Sequence, residues 1–188
     1  MKQILKYAAL TAIVLASAIT FSGCEQANVC NYDESANTLS CPEKVYRTMN
    51  IAGKVWTAEN MGVYIPDSSV CYGNDHANCD NMGRLYTWSA ANTALCPKGW
   101  TLPSQKDYQA AFGSANSEEL KKADRFNLKF AGFRYFDGKF ADKDISASFW
   151  TSDSYDDSRA YLVRATDSTI TYEHFNKSIA ASVRCVKE

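Results

Sequence analysis

Leu85-Tyr86-Thr87-Trp88-Ser89-Ala90-Ala91-Asn92-Thr93-Ala94-Leu95-Cys96-Pro97-Lys98-Gly99-Trp100-Thr101-Leu102-Pro103-Ser104 is the stretch on which the fold turns. Leu85, Trp88, Ala91 and Leu95 recur every three or four residues, the spacing of one buried helical face. Gly83 breaks the chain before that face. Cys96-Pro97-Lys98-Gly99 ends it, because proline cannot continue the hydrogen-bond ladder. Ser104 then opens a second helix as its N-cap, with Asp107 three residues on as capping-box partner. Tyr108, Ala111 and Phe112 form the buried stripe of that helix, and a third, short helix is expected over 117–123.

The pattern on either side is strand. Residues 45–51 and 54–59 flank Ala52-Gly53, a tight hairpin signal. Residues 61–81 are rich in loop formers, with Pro66, Gly73 and an Asn/Asp cluster. Further on, 127–136 and 139–141 flank Asp137-Gly138, the strongest hairpin signal of the chain. Residues 149–152 read as a short, central strand. Tyr161, Val163 and Ala165 alternate with Leu162 and Arg164. Ile170, Tyr172 and His174 alternate with Thr171, Glu173 and Phe175, across a turn at Thr166-Asp167-Ser168. A last strand is expected over 181–186. A hairpin, then two or three helices, then antiparallel sheet is an α+β order. Before all of this, residues 25–43 read as a polar tether with too little apolar surface to bury.

Seven cysteines punctuate the chain. Cys24 stands apart from the other six, an even number suited to an oxidising compartment. Six cysteines allow fifteen connectivities. Cys30 and Cys41 bracket one polar loop and Cys71 and Cys79 another, which leaves Cys96 and Cys185 as a long-range tie between the first helix and the final strand. The rival is a metal cluster. It has little to recommend it, because no Cys-x-x-Cys occurs and the histidines are His76 and His174 alone. Neither a metal nor a cofactor is expected.

The N-terminus has the three-part layout of a secretory signal: Lys2 and Lys6, an apolar run over 8–21, and small residues Ser22-Gly23 before Cys24. The run is shorter than the roughly 20 apolar residues that cross a bilayer. Cys24 falls where cleavage would fall and is the expected lipidation site, against an unlipidated signal or an uncleaved anchor. Two acyl chains suffice for stable membrane attachment, and Glu25 leans the destination to the outer membrane, facing the periplasm or the surface. Three segments follow: signal 1–23, tether 24–43, domain 44–188. Taking Lys2 and Lys6 off the 20 basic residues leaves 18 against 21 acidic, about −3. That balance offers no basic patch for nucleic acid.

Several motifs in series resemble one family. They are Val55-Trp56-Thr57-Ala58-Glu59-Asn60, Cys71-Tyr72 with Asn78-Cys79, Gly83-Arg84-Leu85-Tyr86-Thr87-Trp88, Cys96-Pro97-Lys98-Gly99-Trp100-Thr101-Leu102-Pro103-Ser104, Phe149-Trp150-Thr151-Ser152 and Ser182-Val183-Arg184-Cys185-Val186. Together, from about residue 45 to 188, they resemble the Fibrobacter succinogenes major paralogous domain. The resemblance implies a C-type lectin-like fold and an exported or surface-anchored protein, with no settled biochemical role. Thr101 stands where histidine is common in the family, so a catalytic role for that histidine would not transfer here.

Candidate site residues are few. The triplets of a calcium-dependent sugar lectin are missing. Asp153, Asp156 and Asp157 could offer a cation carboxylates from one loop, against the plainer reading of a solvated turn. Sugar could instead stack on exposed aromatics, with Tyr135, Phe136, Trp150 and Tyr155 as candidates, against a core role that the apolar context of Trp150 favours and that is expected of Trp88 and Trp100. Neither histidine has a nucleophile signature beside it. No phosphate loop follows a strand. The expected function is a lipid-anchored surface module for plant-cell-wall polysaccharide or another glycan, bound without calcium at Tyr135, Phe136, Asp153, Tyr155 and Asp156. The alternatives are a protein-interaction or envelope-assembly component and, last, a hydrolase or redox enzyme.

Overall fold

A computed structural model describes residues 30–188; the signal segment and Cys24 lie outside them. The elements in order are β1 Asn31–Asp33, β2 Thr38–Ser40, β3 Val45–Ile51, β4 Lys54–Thr57, β5 Ser69–Val70, α1 His76–Met82, β6 Leu85–Thr87 and α2 Trp88–Ala90, which runs on as a π turn over Ala91–Leu95. Next come β7 Trp100–Thr101, α3 Gln105–Phe112, α4 Ser117–Lys121, β8 Ala131–Arg134, β9 Phe140–Lys143, β10 Ala147–Ser154, β11 Arg159–Ala165, β12 Ile170–Asn176, β13 Ala180–Ala181 and β14 Val186–Lys187. This is an α+β fold, mostly sheet, with short helices and three disulfides.

Two sheets share the core. One runs β1-β2-β3-β4-β14-β7 and the other β12-β11-β10-β8-β13-β6-β5, with β9 paired to β8. The hairpin at Ala52-Gly53 forms as its turn residues require. Both have positive φ, and Ile51 pairs with Lys54 across them. Asp137-Gly138 closes the β8–β9 hairpin, with Gly138 at φ 91°. Gly132 could carry no side chain, because a Cβ there would lie 2.2 Å from the Ala141 carbonyl oxygen. β10 is an interior strand of the second sheet, between β11 and β8. Its consecutive residues Phe149 and Trp150 are both fully buried and face opposite ways, one into each half of the core.

Helix α3 is held as its sequence dictates. The Ser104 hydroxyl accepts from the Asp107 backbone N–H at 3.2 Å and the Asp107 carboxylate accepts from the Ser104 N–H at 2.9 Å. A cap of this kind stabilises by about 1 kcal/mol. Lys54 adds an ion pair to Asp107 at 2.6 Å, tying the β3–β4 turn to the helix start. The helix buries Tyr108 and Phe112 in an aromatic cluster with Trp56, Phe126 and Phe149, whose neighbouring ring centroids lie 4.8–6.1 Å apart.

The structure departs from the sequence expectations at five places. Leu85 belongs to strand β6, so the helix starts only at Trp88. The region expected as loop contains α1, capped by the Asp75 carboxylate and ended by Gly83 at φ 75°. The expected last strand divides, β13 joining one sheet and β14 the other. β8 and β10 pair in parallel and Phe149 of β10 makes a parallel bridge to Ser182, while the other strand pairs are antiparallel. From Cys30 onward the expected tether is the outer hairpin of the first sheet: Thr38–Ser40 pairs with Val45–Arg47, Leu39 is fully buried, and Tyr32 packs on Trp100 at 5.6 Å.

Where β4 meets the lead into β14, a polar knot sits inside the protein. The Arg184 guanidinium is fully buried and donates from Nε to Asn60 Oδ1 at 2.7 Å, from Nη1 to the Thr57 carbonyl at 2.9 Å and from Nη2 to the Asn127 carbonyl at 3.0 Å. Its charge lies 4.7 Å from the Phe126 ring centre and 5.9 Å from that of Phe149. Asn60 in turn donates to the Met82 carbonyl and to Ser182 Oγ. The Cys185 backbone N–H donates to the Thr57 hydroxyl. Burial pulls the Arg184 pKa down to about 10, so the group still carries its charge at neutral pH.

Candidate functional site

The five residues expected to bind a ligand do not converge. Asp153 sits within a register break in the β10–β11 ladder, between Trp150 and Ser154, and accepts from the Gln105 backbone N–H at 2.6 Å, at the start of α3. Asp156 is taken up by Arg159, which donates from Nε at 2.8 Å and Nη2 at 2.6 Å, and by the backbone of Ser158 and Arg159. The Arg159 guanidinium holds the Asp156 carboxyl well below the usual carboxylate range. Both carboxylates are therefore engaged by the protein itself, and among the described residues no three His, Cys, Asp or Glu side chains are grouped to hold a metal.

The aromatic candidates divide between two faces. Tyr155 stacks on His174 at 4.0 Å, 17° from parallel, with Tyr161 edge-on at 5.5 Å and Arg159 over its ring. Tyr135 packs on Phe133 at 4.7 Å, and Phe133 meets Phe175 at 6.1 Å. His174 and Phe175 are consecutive on β12, so their side chains leave opposite faces of the sheet. Phe136, 72% exposed, stands free at the β8–β9 tip. None of the clefts described below is lined by any of these residues. Trp150 is core, its Nε1 donating to the Tyr86 carbonyl at 2.8 Å. Trp100 is buried, while Trp88 is half-buried under the Lys177 ammonium, with Nε1 donating to the Thr151 carbonyl.

Two adjoining clefts lie elsewhere, around Tyr64. One cleft of about 430 Å³ is lined by Tyr64, Ser69, Val70, Asn74, His76 and Arg84. A second, of about 300 Å³, is lined by Tyr64, Asp67, Ser68, Thr87 and Arg134. Tyr64 borders both and is 56% exposed. The local chain explains the placement. The Tyr46 hydroxyl accepts from the Gly62 N–H, the Tyr86 hydroxyl donates to the Val63 carbonyl, and Ser69 Oγ closes the turn back onto Ile65. Residues 62–65 are thus pinned on both sides, and Tyr64 is left facing outward. His76 opens α1 at the rim of the first cleft. His174 is on the far edge strand β12, so the two histidines do not meet.

Sequence reading overlooked Tyr64 and gave Arg84 no role of its own. Tyr64 lies in a stretch without periodicity, and nothing local marks it. Its one signal is a large aromatic two residues before Pro66, between Val63 and Ile65.

With the geometry in place, the comparison with known families is decisive for one part of the chain. Residues 49–119 match the Fibrobacter succinogenes major domain. No curated protein and no solved structure matches the chain. The matched part of the Fibrobacter succinogenes major domain runs from β3 into α4 and holds Trp56, Thr57, Asn60, Gly83, Cys96 and Ser104. The motif segments 149–152 and 182–186 lie outside the matched residues, yet they close onto them. Trp150 binds the Tyr86 carbonyl and Arg184 binds Thr57 and Asn60. Many of the residues that carry the resemblance, Trp56, Thr57, Asn60, Trp150 and Arg184 among them, therefore build the interior. Gly83 shows the same logic, since a Cβ there would lie 2.7 Å from Asn60 Cβ.

Proposed function

We propose that this chain is a lipid-anchored surface module that binds a glycan without calcium, on a C-type lectin-like scaffold. The observation that carries the reading is Tyr64, an exposed aromatic ring between two clefts lined with hydroxyl, amide, imidazole and guanidinium groups. Such a mixture of one flat apolar face and a few oriented polar groups suits a sugar ring. The scaffold reading is supported by the α+β order, the capped α3 over the central strands and the Cys96–Cys185 bond closing the chain end onto α2. Three disulfides fit an oxidising compartment, and with the signal layout before Cys24 they support an outer-membrane lipoprotein facing the periplasm or the surface. No catalytic step is assigned.

Two measurements test this. Tyr64→Ala should weaken binding to immobilised cellulose, xylan or pectin at least tenfold, a loss of about 1.4 kcal/mol, with an unchanged melting temperature. If no glycan binds while surface cross-linking repeatedly captures the same proteins, the module recognises protein instead. Separately, Cys24→Ala should abolish incorporation of labelled palmitate and move the protein out of the membrane fraction. Retention of label by that variant would refute the anchor.

A further inference from the structure

Resting on the glycan reading above, we infer that the saccharide taken at Tyr64 carries a carboxylate, and that Arg84 is the group that meets it. The ligand class is then a uronic-acid-containing chain. Three of the described arginines, Arg47, Arg159 and Arg164, are engaged by Glu59, Asp156 and Asp142 respectively. Arg84 has no such partner among the described residues. Its Nε is fixed on the Gly62 carbonyl at 3.2 Å, and its guanidinium lies 5.0 Å from the centre of the Tyr64 ring. That single hydrogen bond leaves the two terminal nitrogens, the pair that binds a carboxylate in bidentate fashion, without a hydrogen-bond acceptor among the described residues. The backbone around it is rigid, since the Arg84 N–H donates to the Met61 carbonyl and the Gly83 N–H to that of Cys79.

Charge in the cleft points the same way. No carboxylate lines the first cleft, where Ser69, Asn74 and His76 offer hydrogen bonds to sugar hydroxyls. The second cleft is different. There one carboxylate, Asp67, and one guanidinium, Arg134, line the same cleft, a balance that suits a neutral neighbouring sugar rather than a second anion. The chain as a whole carries a net charge of −1, so general attraction to polyanions does not account for binding of an acidic glycan, and the attraction has to be local. Clefts on both sides of one aromatic ring suit two consecutive units of a chain, the acidic one on the Arg84 side.

The test compares galacturonate oligomers with their fully methyl-esterified counterparts, using the full chain and titration calorimetry. The ester keeps the ring, linkage and hydroxyls and removes only the charge. Wild type should bind the acid at least tenfold more tightly than the ester. Arg84→Gln should bring the acid down to the level of the ester, and Arg84→Lys should recover part of the difference. Equal binding of acid and ester by wild type overturns the carboxylate inference and leaves the glycan reading intact. Binding of neither overturns the carboxylate inference, and the glycan reading is then decided by the cellulose and xylan measurements above. If poly-glutamate binds in an Arg84-dependent way while the galacturonates do not, the ligand is an acidic peptide and the inference is overturned. The acid–ester comparison needs no variant, so a folding defect in an Arg84 substitution does not blunt it.

Discussion

Arg184→Met is expected to lower the unfolding free energy by about 3–5 kcal/mol, because three buried acceptors lose their donor at about 1–3 kcal/mol each and relief of the desolvated charge returns part of that. The methionine would keep much of the apolar stem and its packing on Phe126 and Phe149. It would leave Asn60 Oδ1 and the Thr57 and Asn127 carbonyls facing one another with no donor between them. A buried acceptor left unsatisfied costs about 1–3 kcal/mol. Relief of the desolvated charge offsets part of that loss. The interaction is a cation held by neutral acceptors and aromatic faces, with no carboxylate, so it cannot be repaired by removing a single counter-ion. Arg184→Lys should fall between wild type and Arg184→Met, because an ammonium lacks the planar fork that reaches three acceptors on three different segments. Urea denaturation followed by tryptophan fluorescence reads the effect. A loss under 1 kcal/mol for the methionine variant would mean the acceptors find water or one another, and the knot would not be what joins β4 to the chain end.

The knot also shows what the sequence could and could not disclose. Local signals were legible wherever one or two residues decide the backbone. Ala52-Gly53 and Asp137-Gly138 made hairpins, and Ser104 with Asp107 made a helix start. The three cysteine pairs followed from two polar loops and a remainder. The misreadings came where partners distant in sequence decide. Leu85 fits a helical stripe with Trp88, yet β5 and β13 on either side claim it for a sheet. Helix α1 has no buried residue and no stripe to read; the Asp75 cap and the Cys71–Cys79 bond hold it. Residues 181–186 alternate like one strand, but the stretch crosses from one sheet to the other and carries Arg184 into the core between them. The site was the least legible part. The exposed aromatics chosen from sequence lie on separate faces, while Tyr64 and Arg84 gain their relation from contacts with Tyr46, Tyr86 and Gly62, none of which is visible in a linear pattern.

Breaking Cys96–Cys185 by a double alanine substitution is expected to cost about 4–5 kcal/mol, the chain-entropy value for a loop near 90 residues. The bond joins positions 89 apart, against 11 and 8 for Cys30–Cys41 and Cys71–Cys79. In the same treatment loops of about ten residues are worth about 2.5–3 kcal/mol, so the long tie should cost about 2 kcal/mol more than either local staple. Its place in the fold sharpens the difference. Cys185 is fully buried and precedes β14, whose Val186 pairs with Trp56 on one side and Thr101 on the other. Releasing it loosens the strand that lies between β4 and β7, next to Arg184. Cys30 and Cys41 flank only the outer hairpin, so their loss should fray that hairpin first and lower the melting of the core by less than loss of the long tie does. Hydrogen exchange separates the two cases. Protection should fall at Thr57, Arg184 and Cys185 in the Cys96/Cys185 variant, and only at residues 31–40 in the Cys30/Cys41 variant. If both variants lost the same stability, or if exchange near Thr57 did not change, closure of the chain end would rest on the buried arginine alone.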